Sequence, residues 1–339
     1  MAKALTLSLL TLSSAHLTLA ATRQEYIDHA IDAANTLCAS YSFQNGLFDG
    51  GEGYPGWWTS ANAITTIGNL AALDTSLLGT AEEIFACTFS KAPIAPVADK
   101  YNVQRGTFLD DFFDDEGWWA LAWLKAYDVS GNTTYLEAAK EIFADIDAAT
   151  NGHCGGRPWT RVDEDNQINS ITNELYFALA AALANRVDDP FYIALAHYQA
   201  DWFATSGLYG SGGNDLLVDA LDVSSCRPNA SSTIWTYNQG VVLGALVEMH
   251  RLTHSQHHLD AAARIARGVM AHMVSAEGIF DRVRVPRRPG GGGTVQRCLC
   301  TESDVLAPGG AGAGVCGFFD EECGVDLDEG EGGGWADWR

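Results

Sequence analysis

The chain has 339 residues, of which 47% are hydrophobic, so it is long enough for one large domain or two ordinary ones. Its formal net charge is −23, from 43 acidic and 20 basic residues. A phosphate backbone requires a basic face, so this balance argues against nucleic acid as a partner, and likewise against anionic membrane surfaces. It favours a soluble protein that acts on a neutral or cationic polymer.

Residues 1–20 have the pattern of a secretory signal peptide. Lys3 supplies the positive start, residues 5–19 are rich in Leu, Ala, Ser and Thr, and small residues follow for cleavage. The stretch is too short and too polar for a membrane span. We therefore expect secretion through the endomembrane system to the cell wall or the extracellular space, and the sequons at Asn132 and Asn229 agree with it.

Secretion makes the eight cysteines candidates for disulfide bonds. Many pairings are possible, so the sequence alone leaves the connectivity open. Cys154 with Cys226 is the preferred pair, because both lie in loops that precede helical segments.

Helical periodicity dominates from residue 24 to residue 274, and strand patterns are nearly absent. Helices are predicted near residues 24–41, 59–77, 80–90, 113–128, 133–149, 168–187, 190–205, 235–252 and 258–274. Capping boxes are predicted where a threonine is followed three residues later by a glutamate, at Thr22, Thr80 and Thr134.

The connections between these helices alternate between tight turns and long loops. The long ones are rich in Gly, Trp, Asp and Asn, and they are residues 44–59, 91–112, 150–167 and 206–234. Long loops after every second helix gather functional side chains at one end of a set of helical hairpins. The pattern predicts an all-α toroid of hairpins over residues 22–274, with an irregular helical bundle as the alternative.

Residues 275–339 differ in composition from the rest of the chain. They contain 15 of the 35 glycines, and residues 301–337 contain ten acids and no base. Apolar periodicity is lost, and such a composition buries too little surface to offset the entropy of ordering. Two interpretations stay open: a disordered or locally folded tail, and a misread gene end such as a retained intron or a shifted frame.

The chemistry concentrates in residues 108–127, where two pairs of adjacent aspartates lie beside tryptophans. Retaining cleavage of a glycosidic bond needs two carboxyl groups roughly 5–5.5 Å apart. Adjacent residues can face one cleft at a helix start, whereas in a strand they point to opposite faces. Asp114 and Asp115 fall at a predicted helix start, so they are the preferred pair.

The helix start also separates the roles of two neighbouring carboxyls. Its dipole favours an ionised carboxylate, which suits a nucleophile, whereas a like charge raises the pKa of the second carboxyl, which suits an acid. Two alternatives stay open. Asp114 or Asp115 can serve only as a helix cap, and the competing pair Asp110 and Asp111 is either catalytic or a pair of solvated loop acids.

Other helix starts carry candidate sugar contacts. Trp57 and Trp159 are either stacking platforms or core residues. Asn173, Tyr237 and Asn238 either bind sugar hydroxyls or cap and bridge helices. No P-loop, dinucleotide glycine fingerprint or Gly-x-Ser-x-Gly elbow is present, and neither a cofactor nor a metal is predicted.

Four segments occur together in one order: GWWTSANAITTIGNL, FLDDFFDDEGWWALAW, NSITNELYFALAAAL and WTYNQGVVLGALVEM. Over roughly residues 22–274 they resemble glycoside hydrolase family 76, the fungal and bacterial endo-α-1,6-mannanases. The resemblance implies an (α/α)6 barrel and retaining hydrolysis of α-1,6-mannosidic bonds. Because such a barrel has six hairpins and nine helices are predicted here, the barrel is expected to be incomplete at its C-terminal end.

The resemblance also implies site residues. Asp114 falls at the position of the nucleophile and Asp115 at that of the acid/base. Substrate-binding residues are expected in the segments that line the family's cleft: Trp57, Asn62, Asp111, Trp119, Asn173, Tyr237 and Asn238. The expected partner is α-1,6-mannan or a mannoprotein glycan, bound by a monomer without a cofactor.

Two further functions stay open. A related fungal branch remodels cell-wall mannan by transglycosylation, although the motif of this chain is closer to that of the hydrolases. The low helix count leaves open a non-catalytic mannan-binding protein or a truncated relic. Separately, the loop at Trp159 has a single tryptophan where the family usually has a pair, which concerns one substrate contact.

Overall fold

A computed structural model describes residues 22–50, 55–96, 101–149, 153–162, 167–229 and 231–275, with short strand segments at 280–281, 283–284 and 297–298. The predicted signal peptide, residues 1–20, lies outside the described residues. So does most of the predicted tail, residues 275–339.

Nine α-helices make up most of the described chain. They are α1 (Arg23–Ala39), α2 (Trp58–Leu73), α3 (Leu78–Lys91), α4 (Phe113–Ser130), α5 (Thr133–Ala148), α6 (Ser170–Ala184), α7 (Pro190–Ser206), α8 (Thr236–Thr253) and α9 (Gln256–His272). Each was predicted from the apolar periodicity, and its bounds lie within a few residues of the prediction.

The strands among the described residues are two residues long and form antiparallel ribbons. The pairs are β1 (Tyr41–Ser42) with β2 (Leu47–Phe48), β3 (Leu221–Asp222) with β4 (Arg227–Pro228), β5 (Ile234–Trp235) with β7 (Val283–Arg284), and β6 (Phe280–Asp281) with β8 (Arg297–Cys298). The first two ribbons and β5 lie within the long connections, so they shape loops and form no core sheet.

The helices form two layers. Helices α2, α4, α6 and α8 pack side by side as an inner layer, and α3, α5, α7 and α9 pack against them from outside. The burial pattern explains the division: α6 buries every residue from Ser170 to Leu183, whereas α5 buries one stripe at positions 135, 136, 139, 142, 143 and 146. The predicted all-α toroid is confirmed over these four hairpins of the described chain.

Because each inner helix is followed by an outer helix that returns the chain, the inner helices begin at the same end of the layer. The opposite end is held by charges. Arg186, which follows α6, donates to both carboxylate oxygens of Asp128 on α4, at 2.8 and 2.7 Å, and lies 3.5 Å from Glu248 on α8. This network fixes three inner helices to one another, and it leaves their N-terminal ends to the long loops.

The predicted helix caps were less accurate than the predicted helices. The capping box at Thr22 forms: Thr22 Oγ1 accepts from Glu25 N at 3.2 Å, and Thr22 N donates to Glu25 at 2.6 Å. The prediction is wrong at Thr80, since α3 begins two residues earlier. It is also wrong at Thr134, because Asn132 caps α5 and accepts from Thr134 N at 3.0 Å.

The predicted disulfide between Cys154 and Cys226 is present, with the two Cα atoms 5.2 Å apart. It joins the loop before α6 to the turn between β3 and β4, and so ties two long loops together. Within the described residues, no helix combines the length and the apolar character that crossing a bilayer requires.

Candidate active site

Asp114 and Asp115 lie in the first turn of α4, as predicted. Phe112 has extended backbone angles, φ −120° and ψ 111°, and makes no side-chain cap. The first helical N–H, from Phe113, instead donates to the carbonyl of Trp159 at 2.9 Å. A loop carbonyl therefore does part of the capping, which argues against the alternative that the two aspartates serve only as caps.

The carboxyl of Asp114 receives the indole N–H of Trp159. Trp159 Nε1 lies 3.1 Å from Oδ1 and 3.0 Å from Oδ2, and Oδ1 also accepts from Asp115 N at 3.1 Å. Burial raises the pKa of Asp114 to about 7, and the hydrogen bond from Trp159 opposes that rise. The sequence left Trp159 between stacking and packing, and the structure adds a third role, as a donor to a carboxylate.

Asp115 has a different environment from its neighbour. It is 7% exposed, whereas Asp114 is partly exposed. Burial, followed by the negative charges of Asp110 and Asp114, raises the pKa of Asp115 well above its ordinary value. Asp114, which has the indole donor, therefore has the lower pKa of the two carboxyls, and Asp115 the higher. This order suits a nucleophile beside a proton donor.

The interpretation of Asp110 as a solvated loop acid is wrong, because this residue is 1% exposed. Its Oδ2 accepts from Trp57 Nε1 at 2.7 Å and its Oδ1 from Phe112 N at 2.7 Å. Burial raises the pKa of Asp110 to about 7. Asp111, in contrast, is partly exposed, and both its carboxylate oxygens accept from Asn102 Nδ2 at 3.3 Å. Asp110 therefore helps to hold the backbone of the segment that leads into α4.

For Trp57 the structure favours the packing interpretation over the stacking platform. The residue is 1% exposed, and its ring centroid lies 6.1 Å from that of Phe108 and 4.9 Å from that of Trp119. Trp119 is fully buried as well. Both rings are therefore enclosed by the protein, and Trp57 is linked to the site by its hydrogen bond to Asp110.

A contact between the carboxyl of Glu116 and the guanidinium of Arg161 lies next to the aspartates. Glu116, which is fully buried, accepts from Asp110 N at 2.9 Å and pairs with Arg161, which also reaches Asp145 on α5. Burial raises the pKa of Glu116 to about 9, although the Arg161 guanidinium acts in the opposite direction. Sequence reasoning did not single out this pair, and the available signal was a third acid directly after Asp114 and Asp115.

Asp219 is a further acid that sequence reasoning missed. It is partly exposed, it lies just before β3, and its carboxylate accepts from Asn238 Nδ2 at 3.0 Å. Burial raises the pKa of Asp219, and its charge contributes to the raised pKa of Asp114, so the two acids are within electrostatic reach. The available signal was an acid in a long loop, directly after an apolar run from Leu216 to Val218.

The predicted contacts on α8 lie beside Asp219. Asn238 is fully buried, and its Oδ1 has no hydrogen-bond partner among the described residues. Tyr237 is partly exposed, and its ring stacks on Trp235 with centroids 5.4 Å apart. The start of α8 thus combines the stacked ring of Tyr237 with the amide of Asn238, which donates a hydrogen bond to Asp219.

The two remaining amide side chains form hydrogen bonds with backbone groups of the protein. Asn173 is fully buried, donates to the carbonyls of Arg157 and Asn169 at 3.0 and 2.8 Å, and accepts from Arg157 N at 2.8 Å. Asn62 is 3% exposed and donates to the Trp58 carbonyl at 3.3 Å. The bridging alternative is therefore the one that the geometry favours for Asn173.

Residues 29–288 match the sequence profile of Glycosyl hydrolase family 76, about three quarters of the chain. The chain belongs to this family. A Schizosaccharomyces pombe protein is 25% identical over 215 residues, 58% of this chain and 46% of that protein. Mannan endo-1,6-alpha-mannosidase DFG5 of Saccharomyces cerevisiae is 24% identical over 152 residues, 42% of this chain and 33% of that protein. The matches thus span between a third and a half of these relatives.

Solved structures of the family share the fold. One is the α-1,6-mannanase GH76A of Salegentibacter sp. HEL1_6, as an inactive variant with two adjacent aspartates replaced, in complex with α-1,6-mannotetrose. It aligns with a TM-score of 0.63 at 19% identity, over 76% of this chain and 74% of that chain. The family's α/α barrel is therefore the fold of this chain, as predicted.

Within this family 76 chain, four of the side chains described above are partly exposed. They are Asp114, Trp159, Asp219 and Tyr237. The other predicted contacts, apart from Asp111, are buried. Among the described residues, no three His, Cys, Asp or Glu side chains are grouped to hold a metal ion.

Proposed function

We propose that the protein is a secreted glycosidase that hydrolyses α-1,6-mannosidic bonds within mannan and retains the anomeric configuration. The supporting observation is the pair Asp114 and Asp115 in the first turn of α4, adjacent in the chain and different in environment. The Salegentibacter relative, described as an α-1,6-mannanase, became inactive when two adjacent aspartates were replaced. The DFG5 relative is named for the same bond.

In the first step the carboxylate of Asp114 attacks the anomeric carbon and forms a covalent mannosyl ester. The electron pair of the broken C–O bond leaves with the glycosidic oxygen, which takes the proton of Asp115. Asp114 is prepared by the helix N-terminus and by the indole N–H of Trp159, both of which favour its ionised form. Asp115 keeps its proton because burial and three neighbouring acids, Asp110, Asp114 and Glu116, raise its pKa.

In the second step Asp115, now a base, takes a proton from a water molecule that attacks the anomeric carbon. The ester bond breaks, Asp114 regains its carboxylate, and Asp115 regains its proton. Asp219 is placed to accept hydrogen bonds from sugar hydroxyls, while Asn238 holds its carboxylate in position. Tyr237, stacked on Trp235, offers an aromatic surface to an apolar sugar face.

This mechanism fixes the direction of the pH dependence. Below the pKa of Asp114, about 7, the nucleophile is protonated, so turnover falls as the pH decreases. Above the higher pKa of Asp115 the acid has lost its proton, so turnover falls again. We expect a bell-shaped profile whose acidic limb lies near neutrality.

The test uses Asp114→Asn and Asp115→Asn on unbranched α-1,6-mannan, with Asp201→Asn on the exposed surface of α7 as the matched control. Each site variant should lose about 10²- to 10⁴-fold in release of manno-oligosaccharides, and the control should lose nothing. On an aryl mannoside the leaving group needs no proton. With this substrate Asp115→Asn should recover the first step, in which the mannosyl ester forms, and Asp114→Asn should not. Retention is checked by the anomer that first appears in NMR spectra.

Three outcomes would contradict the proposal. Near-normal turnover in both site variants would show that Asp114 and Asp115 are not the catalytic pair. Redistribution of chain lengths without new reducing ends would identify a mannan transglycosylase. Binding of mannan by the wild type without any turnover would identify a non-catalytic binding protein.

A further inference from the structure

One loop segment, residues 153–162, passes over the start of α4, and we call it the strap. Its first part is held from two sides. Cys154 is bonded to Cys226, and the Cys154 carbonyl accepts from Trp202 Nε1 at 2.8 Å. A Cβ at Gly156 would lie 2.6 Å from Ile168 Cγ2, so only glycine lets the strap pack this closely.

The middle of the strap is held by Arg157. Its guanidinium donates to Asp147 Oδ1 at 2.7 Å and to Tyr176 Oη at 2.9 Å. Its backbone N–H and carbonyl are both bonded to the side chain of Asn173, at 2.8 and 3.0 Å. Helices α5 and α6 therefore fix the backbone two residues before Trp159.

The last part of the strap is held by Arg161. Its guanidinium pairs with Glu116 and Asp145, and its backbone N–H donates to the Asp111 carbonyl at 3.0 Å. The neighbouring residue, Thr160, forms a β-bridge with Phe112. The strap is thus docked on both sides of Trp159, and the second docking site is the chain that leads directly into Asp114.

Trp159 itself contacts the start of α4 with both its backbone and its side chain. Its carbonyl accepts from Phe113 N at 2.9 Å, and its N–H donates to the Gln167 carbonyl at 2.8 Å. With the backbone fixed in this way, the indole Nε1 lies 3.1 and 3.0 Å from the two carboxylate oxygens of Asp114. An indole N–H can only donate, and a donor stabilises a carboxylate more than a neutral carboxyl.

We propose that Trp159 is a positioning residue for Asp114: its indole N–H orients the carboxylate and stabilises the ionised form, and the strap exists to hold that indole in place. The inference rests on the proposed role of Asp114 as the nucleophile. A residue that served only to stack on sugar would need a ring face in the cleft, and it would need neither the aimed N–H nor the anchors on both sides.

The variant Trp159→Phe keeps an aromatic ring and removes the donor. The matched control is Tyr41→Phe, which also removes a hydrogen bond from an aromatic side chain, but one to the Ile84 carbonyl at 3.2 Å, outside the strap and to no carboxylate. We expect the acidic limb of kcat/KM in Trp159→Phe to move upward by about one pH unit, with kcat reduced about 10- to 100-fold. In Tyr41→Phe the thermal midpoint should fall while the acidic limb stays in place.

A double-mutant cycle on stability tests the same contact without any turnover. Unfolding is measured for the wild type, Trp159→Phe, Asp114→Asn and the double variant, at pH 5 and pH 9. Because the pKa of Asp114 is about 7, its carboxyl is neutral at the lower pH and ionised at the higher. A coupling at pH 9 that largely disappears at pH 5 supports the proposal.

The outcomes separate this inference from the proposed function. A folded Trp159→Phe with an unchanged acidic limb and no coupling at pH 9 overturns the role of Trp159, whatever the substrate. A wild type that does not cleave α-1,6-mannan but shows the coupling overturns the proposed function and keeps the contact. If Trp159→Phe fails to fold, Trp159→His, which retains a ring N–H, takes its place: an acidic limb that stays at the wild-type position supports the role of the N–H, and a limb that moves upward overturns it.

Discussion

Gly117 lies at a close approach of α4 and α6, and it supplies a sharp test of the packing. It is buried on α4, two residues after Asp115. A Cβ added there would lie 2.8 Å from Leu175 Cβ and 3.1 Å from Leu175 Cδ1, and Leu175 on α6 is fully buried. The variant Gly117→Ala therefore forces α4 and α6 apart by a few tenths of an ångström or distorts Leu175.

The expected size follows from two opposing effects. Overpacking of a filled core costs about 1–3 kcal/mol, and replacing a helical glycine by alanine recovers about 0.8–1 kcal/mol. The net expectation is a loss of roughly 0.5–2 kcal/mol in the free energy of unfolding. Because Asp114 and Asp115 lie on the same helical turn, a displaced α4 should lower kcat more than it changes KM.

The matched control is Gly240→Ala on α8, where an added Cβ meets no atom within 4 Å. There only the helix propensity acts, so stability should rise by up to about 1 kcal/mol. Both variants are measured by urea unfolding followed by circular dichroism, and Gly117→Ala also by mannan turnover. A Gly117→Ala protein as stable as Gly240→Ala would refute the close approach of α4 and α6.

Two further predictions concern groups outside the catalytic step. Glu174 is fully buried, neither of its oxygens has a partner among the described residues, and burial followed by the charge of Asp219 raises its pKa well above the ordinary value. Because the folded state resists ionisation and the unfolded state does not, Glu174 should cost about 1.4 kcal/mol of stability per pH unit above pH ~4.3 until its folded pKa is reached. The stability gain of Glu174→Gln over the wild type should therefore grow from pH 4 to pH 7, and a gain that is constant with pH would contradict this ionisation. For the disulfide, which closes a separation of 72 residues, Cys154→Ser with Cys226→Ser should lower the free energy of unfolding by about 2–4 kcal/mol. Calorimetry of the variant and of the oxidised wild type checks this, and identical midpoints would show that the bond adds no stability.

The helices were predictable because the buried face of each helix follows from the spacing of apolar residues a few positions apart in the chain. α5 alternates apolar and polar residues with a helical repeat, and α6 is apolar nearly throughout, so the sequence distinguishes an outer from an inner helix before any packing is known. Cap positions were less predictable, because one threonine pattern occurs both at a helix start and inside a helix, as at Thr134.

The sequence by itself determined the all-α architecture, the alternation of tight turns and long loops, and the position of Asp114 and Asp115 at a helix start. Each of these depends on residues close together in the chain. Only the tertiary structure decided that Asp110 is buried and that Asp219 stands near the pair, because their burial is produced by segments distant in sequence.

The same distinction applies to Trp159, which lies 45 residues from Asp114 along the chain. Its local sequence allowed stacking or packing. The hydrogen bond to Asp114 exists because a disulfide and two arginines on the strap bring distant backbone to the start of α4. Periodicity carries no information about such anchors, because it reports which face of a helix is buried and not which distant loop covers its end.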